Sequence, residues 1–182
     1  MSKPLLIAAW LVAAGLPARA EPETTSEQDA RRASAMVITA LHFVGVPYRR
    51  AGESAERGFD CSGFARHVFE AGLGLTLPRR ADEQARMRAL SKVKRAAIEP
   101  GDLLFFNTRK RTYSHVGIYV GEGRFIHAPR PGTAVRIDDM QSAYWARRYT
   151  GARRAPPSDE PDETLDPPAP DVTAAVEPER GP

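Results

Sequence analysis

The stretch Ser114-His115-Val116-Gly117-Ile118-Tyr119-Val120-Gly121-Glu122-Gly123-Arg124-Phe125-Ile126-His127-Ala128 reads as two strands around a tight turn. Val116–Val120 and Phe125–Ala128 are apolar or β-branched runs, and Gly121-Glu122-Gly123 supplies the backbone freedom a hairpin turn requires. Folding the chain back at that turn makes His115 and His127 cross-strand neighbours on one face. Leu103–Phe106 offers a strand ahead of the hairpin, after Pro100-Gly101. Val135–Ile137 and Arg148–Arg153 offer two more behind it, around a short helix near Asp139–Trp145. The second half of the domain is therefore expected to be an antiparallel sheet of about five strands.

Upstream the periodicity changes. Ala30, Ala33, Val37, Leu41 and Val44 recur at steps of three and four, a helical stripe starting near Ser26 and stopped by Gly45-Val46-Pro47. Residues 48–59 read as a loop. A second helix begins at Asp60 or Cys61, turns Phe64, Val68 and Phe69 inward, and ends at Gly72 or Gly74. Leu77-Pro78 leads into a third helix over Ala81–Leu90. Helices first and antiparallel strands second is an α+β order.

The two ends differ from this middle. Met1-Ser2-Lys3, the apolar run Leu5–Leu16 and the A-x-A site Ala18-Arg19-Ala20 give residues 1–20 the form of a secretory signal peptide, with Glu21 and no cysteine directly at the cleavage point. Residues 155–182 hold eight prolines, eight acidic residues, one base and no aromatic ring. Such a segment lacks the apolar surface to offset its chain entropy and is expected to be a disordered tail. The formal net charge of +3 thus conceals a domain over residues 21–154 of +8 beside a tail of −7. A basic domain suits an anionic partner such as the carboxylate-rich bacterial wall. Nucleic acid fits poorly, because the bases are scattered and no basic helix or stacking set accompanies them. No apolar run approaches the ~20 residues of a membrane span. The expected location is periplasmic or secreted.

One cysteine in 182 residues excludes an intrachain disulfide and any multi-cysteine zinc site. Cys61 stands in Gly58-Phe59-Asp60-Cys61-Ser62-Gly63-Phe64 at the expected start of a helix, where the dipole favours thiolate. A free cysteine is commonly a small buried hydrophobe, but polar and small neighbours in an exported chain favour a nucleophile. A thiol nucleophile needs a base and a group to orient it. His42 and His67 fall on helices and read as surface residues. His115 and His127, brought together by the hairpin, can serve as base and orienting partner. A zinc site from Cys61, His115 and His127 lacks a fourth ligand at a recognisable spacing.

Several blocks together carry a resemblance. Pro47-Tyr48, Phe59-Asp60-Cys61-Ser62-Gly63-Phe64, Leu77-Pro78-Arg79 with Gln84, Pro100-Gly101-Asp102-Leu103-Leu104-Phe105-Phe106, Ser114–Tyr119, Phe125–Pro129 and Tyr144-Trp145 with Arg147-Arg148-Tyr149 resemble the NlpC-type cell-wall peptidases over about Ala30–Arg154. The resemblance implies a papain-like α+β fold and hydrolysis of amide bonds in peptidoglycan stem peptides, at γ-D-glutamyl-diamino acid or D-alanyl cross-link bonds, without a cofactor or metal. By position it makes Cys61 the nucleophile, His115 the base and His127 the orienting residue. It also makes Tyr48, Asp60 and Ser62 the residues that bind substrate or shape the site. Two departures stand out. Ala51-Gly52 replaces a usual Gly-Gly pair, and Arg80-Ala81 follow Leu-Pro-Arg where a hydroxyl residue is common. An acyl or amide transferase of transglutaminase-like type shares the Cys-then-His order, and an inactive wall-binding module is the non-enzymatic alternative. No adaptor or inhibitor protein is readable from the residues.

Overall fold

The computed structural model describes residues 25–157 except Arg109. The expected signal peptide and all but the first three residues of the expected tail lie outside the described residues. Helix α1 (Thr25–Leu41) is followed by a small hairpin, β1 (Glu53–Ser54) with β2 (Gly58–Phe59), then α2 (Cys61–Leu73) and a single-turn α3 (Ala81–Gln84). Strand β3 (Ser91–Val93) and a 3₁₀ turn (Arg95–Ala97) lead into β4 (Leu103–Phe106), β5 (His115–Gly121), β6 (Arg124–His127) and β7 (Arg136–Asp139). Helix α4 (Ala143–Ala146) and β8 (Tyr149–Arg154) complete the domain. The six larger strands form one antiparallel sheet in the order β3-β8-β4-β5-β6-β7.

Strand β4 shows how this sheet is held. Leu103 and Phe105 turn toward the helices, Leu104 and Phe106 toward the opposite face, as the two-residue period of a strand requires. All four are fully buried because both faces are covered, which is why the segment reads as a continuous apolar run and does not alternate. On one face α1 and α2 pack Met36, Phe64, Val68 and Phe69 against Leu103, Phe105, Val116 and Ile118. On the other, Trp145 from α4 closes over Leu104, Phe106, Phe125 and Ala152. Each fully buried large side chain contributes on the order of 1.5–3 kcal/mol.

The structure corrects the expected elements in four places. The sheet has six strands, since Ser91–Val93 pairs with β8 as an edge. Helix α3 is one turn, ending at Gln84 and not continuing to Leu90 as its sequence suggests. Residues 48–59 are not all loop, since they contain the β1–β2 hairpin. Finally, the buried face of α1 is rotated from the expected stripe. Met36 and Ala40 are buried, while Leu41 and Val44 are 40% and 50% exposed. The cause lies across the contact: Gly101 leaves space that Met36 fills, its Cε lying 2.8 Å from where a Cβ would be.

The loop before α2 carries a strained residue. Ala51 has φ 58, in the left-handed region that disfavours a Cβ, and its N–H donates to Asp60 Oδ2 at 3.0 Å. This is one of the two positions where the sequence departs from the family pattern. Ala51→Gly is expected to stabilise the protein by about 0.5–1 kcal/mol, net of the added freedom of the unfolded chain, as read by denaturant unfolding.

Candidate active site

Cys61 is the first residue of α2, and Asp60 caps the helix by accepting from the Gly63 N–H at 2.8 Å. The cap does more than end the helix. Both Asp60 oxygens receive the guanidinium of Arg79, at 3.0 Å and 2.7 Å, and Arg79 also donates to Ser62 Oγ at 2.9 Å and Glu53 Oε1 at 2.8 Å. Ser62 Oγ lies 3.3 Å from Asp60 Oδ1. Gln84 closes the set from below, donating to the Ser62 and Pro78 carbonyls at 3.0 Å and 2.9 Å. Leu77-Pro78-Arg79 and Gln84 therefore brace the residues on either side of Cys61.

This arrangement gives Asp60 and Ser62, the expected substrate-binding residues, a bracing task as well. Their side-chain oxygens are engaged by Arg79, the Gly63 N–H and the Ala51 N–H. They hold the nucleophile's helix and its flanking loop. Tyr48 is anchored through its backbone, with its N–H on the Thr133 carbonyl at 2.7 Å and a bridge to Phe59, and its side chain is half-buried.

The two expected histidines meet. His115 opens β5 and His127 closes β6, and His115 Nε2 lies 2.7 Å from His127 Nδ1. Ile118 pairs with Ile126, so His127 falls beside Gly117 and reaches His115 along the diagonal, not directly across. Gly117 is required for this. A Cβ there would stand 2.6 Å from the Phe125 ring and 3.1 Å from His127 Cβ.

The diagonal continues into β7. His127 pairs with Arg136, and His127 Nε2 lies 3.1 Å from Oδ2 of Asp138. Arg136 clamps the same carboxylate at 2.9 Å and 3.0 Å, and the Trp145 Nε1–H donates to it at 3.1 Å. Trp145 also covers both imidazoles, stacked on His115 at 5.4 Å and edge-on to His127 at 5.0 Å. Nothing in the sequence singles out Asp138. Its role depends on the β6–β7 register and on the return of α4, and no local pattern announces either. His42 is exposed, and His67 is partly exposed while its ring packs against the Phe43 and Phe59 rings.

Burial lowers the pKa of His127 against the raising pull of Asp138, which keeps the ring neutral. The hydrogen bond from His127, with Arg136 beside it, holds the Asp138 carboxyl well below the usual carboxylate range. For His127 the unfolded chain binds a proton near pH 6.5 that the folded chain refuses, so stability rises with pH there and falls as pH drops below about 6.5. For Asp138, stability is present above about pH 4 and is lost as pH falls toward its depressed folded value. Denaturant unfolding at pH 7.5 and 5.5 is expected to show the His127 loss, at up to about 1.4 kcal/mol per pH unit, and His127→Asn to flatten it.

Among the described residues no group of three or more His, Cys, Asp or Glu side chains is disposed to hold a metal ion. No helix among them is long and apolar enough to cross a membrane.

Residues 45–154 match the profile of the NlpC/P60 family. The chain is 42% identical over 112 residues to murein DD-endopeptidase MepH of Escherichia coli K12, covering 61% of this chain and 41% of that protein. It is 43% identical over 120 residues to gamma-DL-glutamyl hydrolase of Bacillus subtilis, covering 65% of this chain and 28% of the relative. The match thus spans less than half the length of either protein. The crystal structure of an NlpC/P60 family protein from Bacillus cereus superposes with a TM-score of 0.63 at 36% identity, covering 69% of this chain and 40% of that one.

Proposed function

The chain belongs to the NlpC/P60 family, and from that premise we propose that it is a cysteine peptidase hydrolysing amide bonds in peptidoglycan stem peptides. The observation that carries this reading is the paired imidazoles. His115 engages His127 through Nε2, so Nδ1 is the ring nitrogen assigned here as the base. In the proposed reaction His115 Nδ1 takes the proton of Cys61, and the thiolate attacks the scissile carbonyl carbon. Backbone N–H at the start of α2 receives the oxyanion. The C–N bond breaks as the amine leaves with the proton from His115. Water, deprotonated by His115, then releases the acid from the thioester and restores the thiol. Tyr48, half-buried beside the Phe59–Cys61 segment, lines the approach, and Arg79 with Asp60 and Ser62 keeps the nucleophile's helix in place.

The bond cut is a D-alanyl cross-link or a γ-D-glutamyl bond; the names murein DD-endopeptidase and gamma-DL-glutamyl hydrolase among the relatives support these classes. Export through residues 1–20 and attraction of the +8 domain to the anionic wall complete the reading. The test is digestion of a defined cross-linked muropeptide, with products identified by mass spectrometry and Cys61→Ala as control. Free acid and free amine are the expected products. A transferred product on adding a competing amine would assign acyl transfer instead, and intact substrate would exclude both.

A further inference from the structure

Asp138 Oδ2 lies within 3.1 Å of three donor groups: His127 Nε2, Trp145 Nε1 and Arg136 Nη2. An ionised carboxylate only accepts, so His127 Nε2 carries the hydrogen of that contact. His127 is neutral, and a neutral imidazole bears one N–H, so its Nδ1 is an acceptor. The 2.7 Å contact then requires His115 Nε2 to donate. A neutral His115 protonated at Nε2 has its lone pair at Nδ1, the form a base for the thiol requires.

We propose that Asp138 is a positioning residue that sets the proton direction of His115 through His127. The proposal rests on the reading of Cys61 and His115 given above. Arg136, two residues away on the same strand, and Trp145 from α4 fix the carboxylate so that its Oδ2 meets His127. His127 on the adjacent strand β6, and His115 beyond it on β5, are the imidazoles in line with that carboxylate. In this proposal Asp138 acts through the ring between.

Histidine-selective ¹⁵N NMR of the full chain reads this directly. The expected result is the Nε2–H form for both His115 and His127 in the wild type at pH 7.5. Finding Nδ1–H on neutral His115 would overturn the proposal without any variant. In Asp138→Ala the His127 donor loses its acceptor, both rings are expected to populate mixed tautomers, and kcat on the cross-linked muropeptide to fall by about 10²–10³-fold with KM changed less than about threefold. Asp138→Asn seats its carbonyl oxygen where three donors converge, and is expected to keep the Nε2–H signature and to retain kcat within about tenfold. An Asp138→Ala protein with wild-type ring signals or undiminished kcat would sink the idea. Hydrolysis surviving in Cys61→Ala would instead sink the peptidase reading, while the NMR spectra would still report the two tautomers independently of it.

Discussion

Cys61→Ala is expected to lower kcat for muropeptide hydrolysis by at least about 10⁴-fold while leaving the fold intact. The magnitude follows from what the thiol does: it forms and breaks the bond to the acyl group, and removing a nucleophile forfeits the covalent route and leaves only binding and the oxyanion donors. The fold is expected to survive because Cys61 is only partly buried and occupies the first helical position, where alanine is well tolerated. The bracing bonds of Arg79, Asp60, Ser62 and Gln84 do not use its sulfur. A thermal melt within about 2 °C of the wild type, together with product formation by mass spectrometry, checks both halves. Activity within tenfold of the wild type would remove Cys61 from the mechanism.

What is legible in the sequence divides along the range of the interactions. The start of α2 at Asp60-Cys61 and its stop at Gly74 are local, set by a capping side chain and a left-handed residue, and both can be read. The β5–β6 hairpin is legible for the same reason, since its turn lies within the segment it joins. Strand β3 is not, because Ser91 and Lys92 are exposed and an edge strand without a buried face leaves no alternation to detect. The buried face of α1 departs from its apolar stripe because Gly101, far along the chain, leaves the space that Met36 fills. The candidate site follows the same rule. Cys61, His115 and His127 announce themselves by residue type and local context. Asp138 acquires its place only when β7 pairs with β6 and Trp145 folds over both. Asp60 and Ser62 stand out beside the cysteine, but their bracing task is hidden, because their partner Arg79 is brought in from outside the motif.

Gly63→Ala is expected to destabilise the protein by about 3 kcal/mol or more and to abolish activity with it, whereas Gly72→Ala in the same helix is expected to be neutral or stabilising by up to about 1 kcal/mol. The two glycines differ in what faces them. A Cβ on Gly63 would stand 2.1 Å from the Gly52 carbonyl oxygen and 3.2 Å from Asp60 Oδ1, and the first of these is backbone that cannot swing aside. That carbonyl already accepts from the Asp60 N–H at 3.0 Å, so relieving the clash pulls the loop off the cap that begins α2. Gly52 itself is wedged as tightly, with the Gly58 carbonyl oxygen 2.2 Å from where its Cβ would be. The loop therefore cannot retreat without breaking the β1–β2 hairpin behind it. Cys61 lies between Asp60 and Ser62 in this contact, and any shift that admits a methyl moves the thiol relative to the imidazole pair. Reactions that depend on near-contact geometry lose about 10²-fold for displacements near 1 Å. At Gly72 the nearest atoms are those of Met36 at 3.4 Å, an ordinary contact, and the gain in helix propensity remains. Denaturant unfolding of both variants, with muropeptide turnover measured alongside, separates close packing at the nucleophile from a general intolerance of added methyl groups in α2. Equal stability for the two would mean that Gly63 does not set the approach of loop and helix.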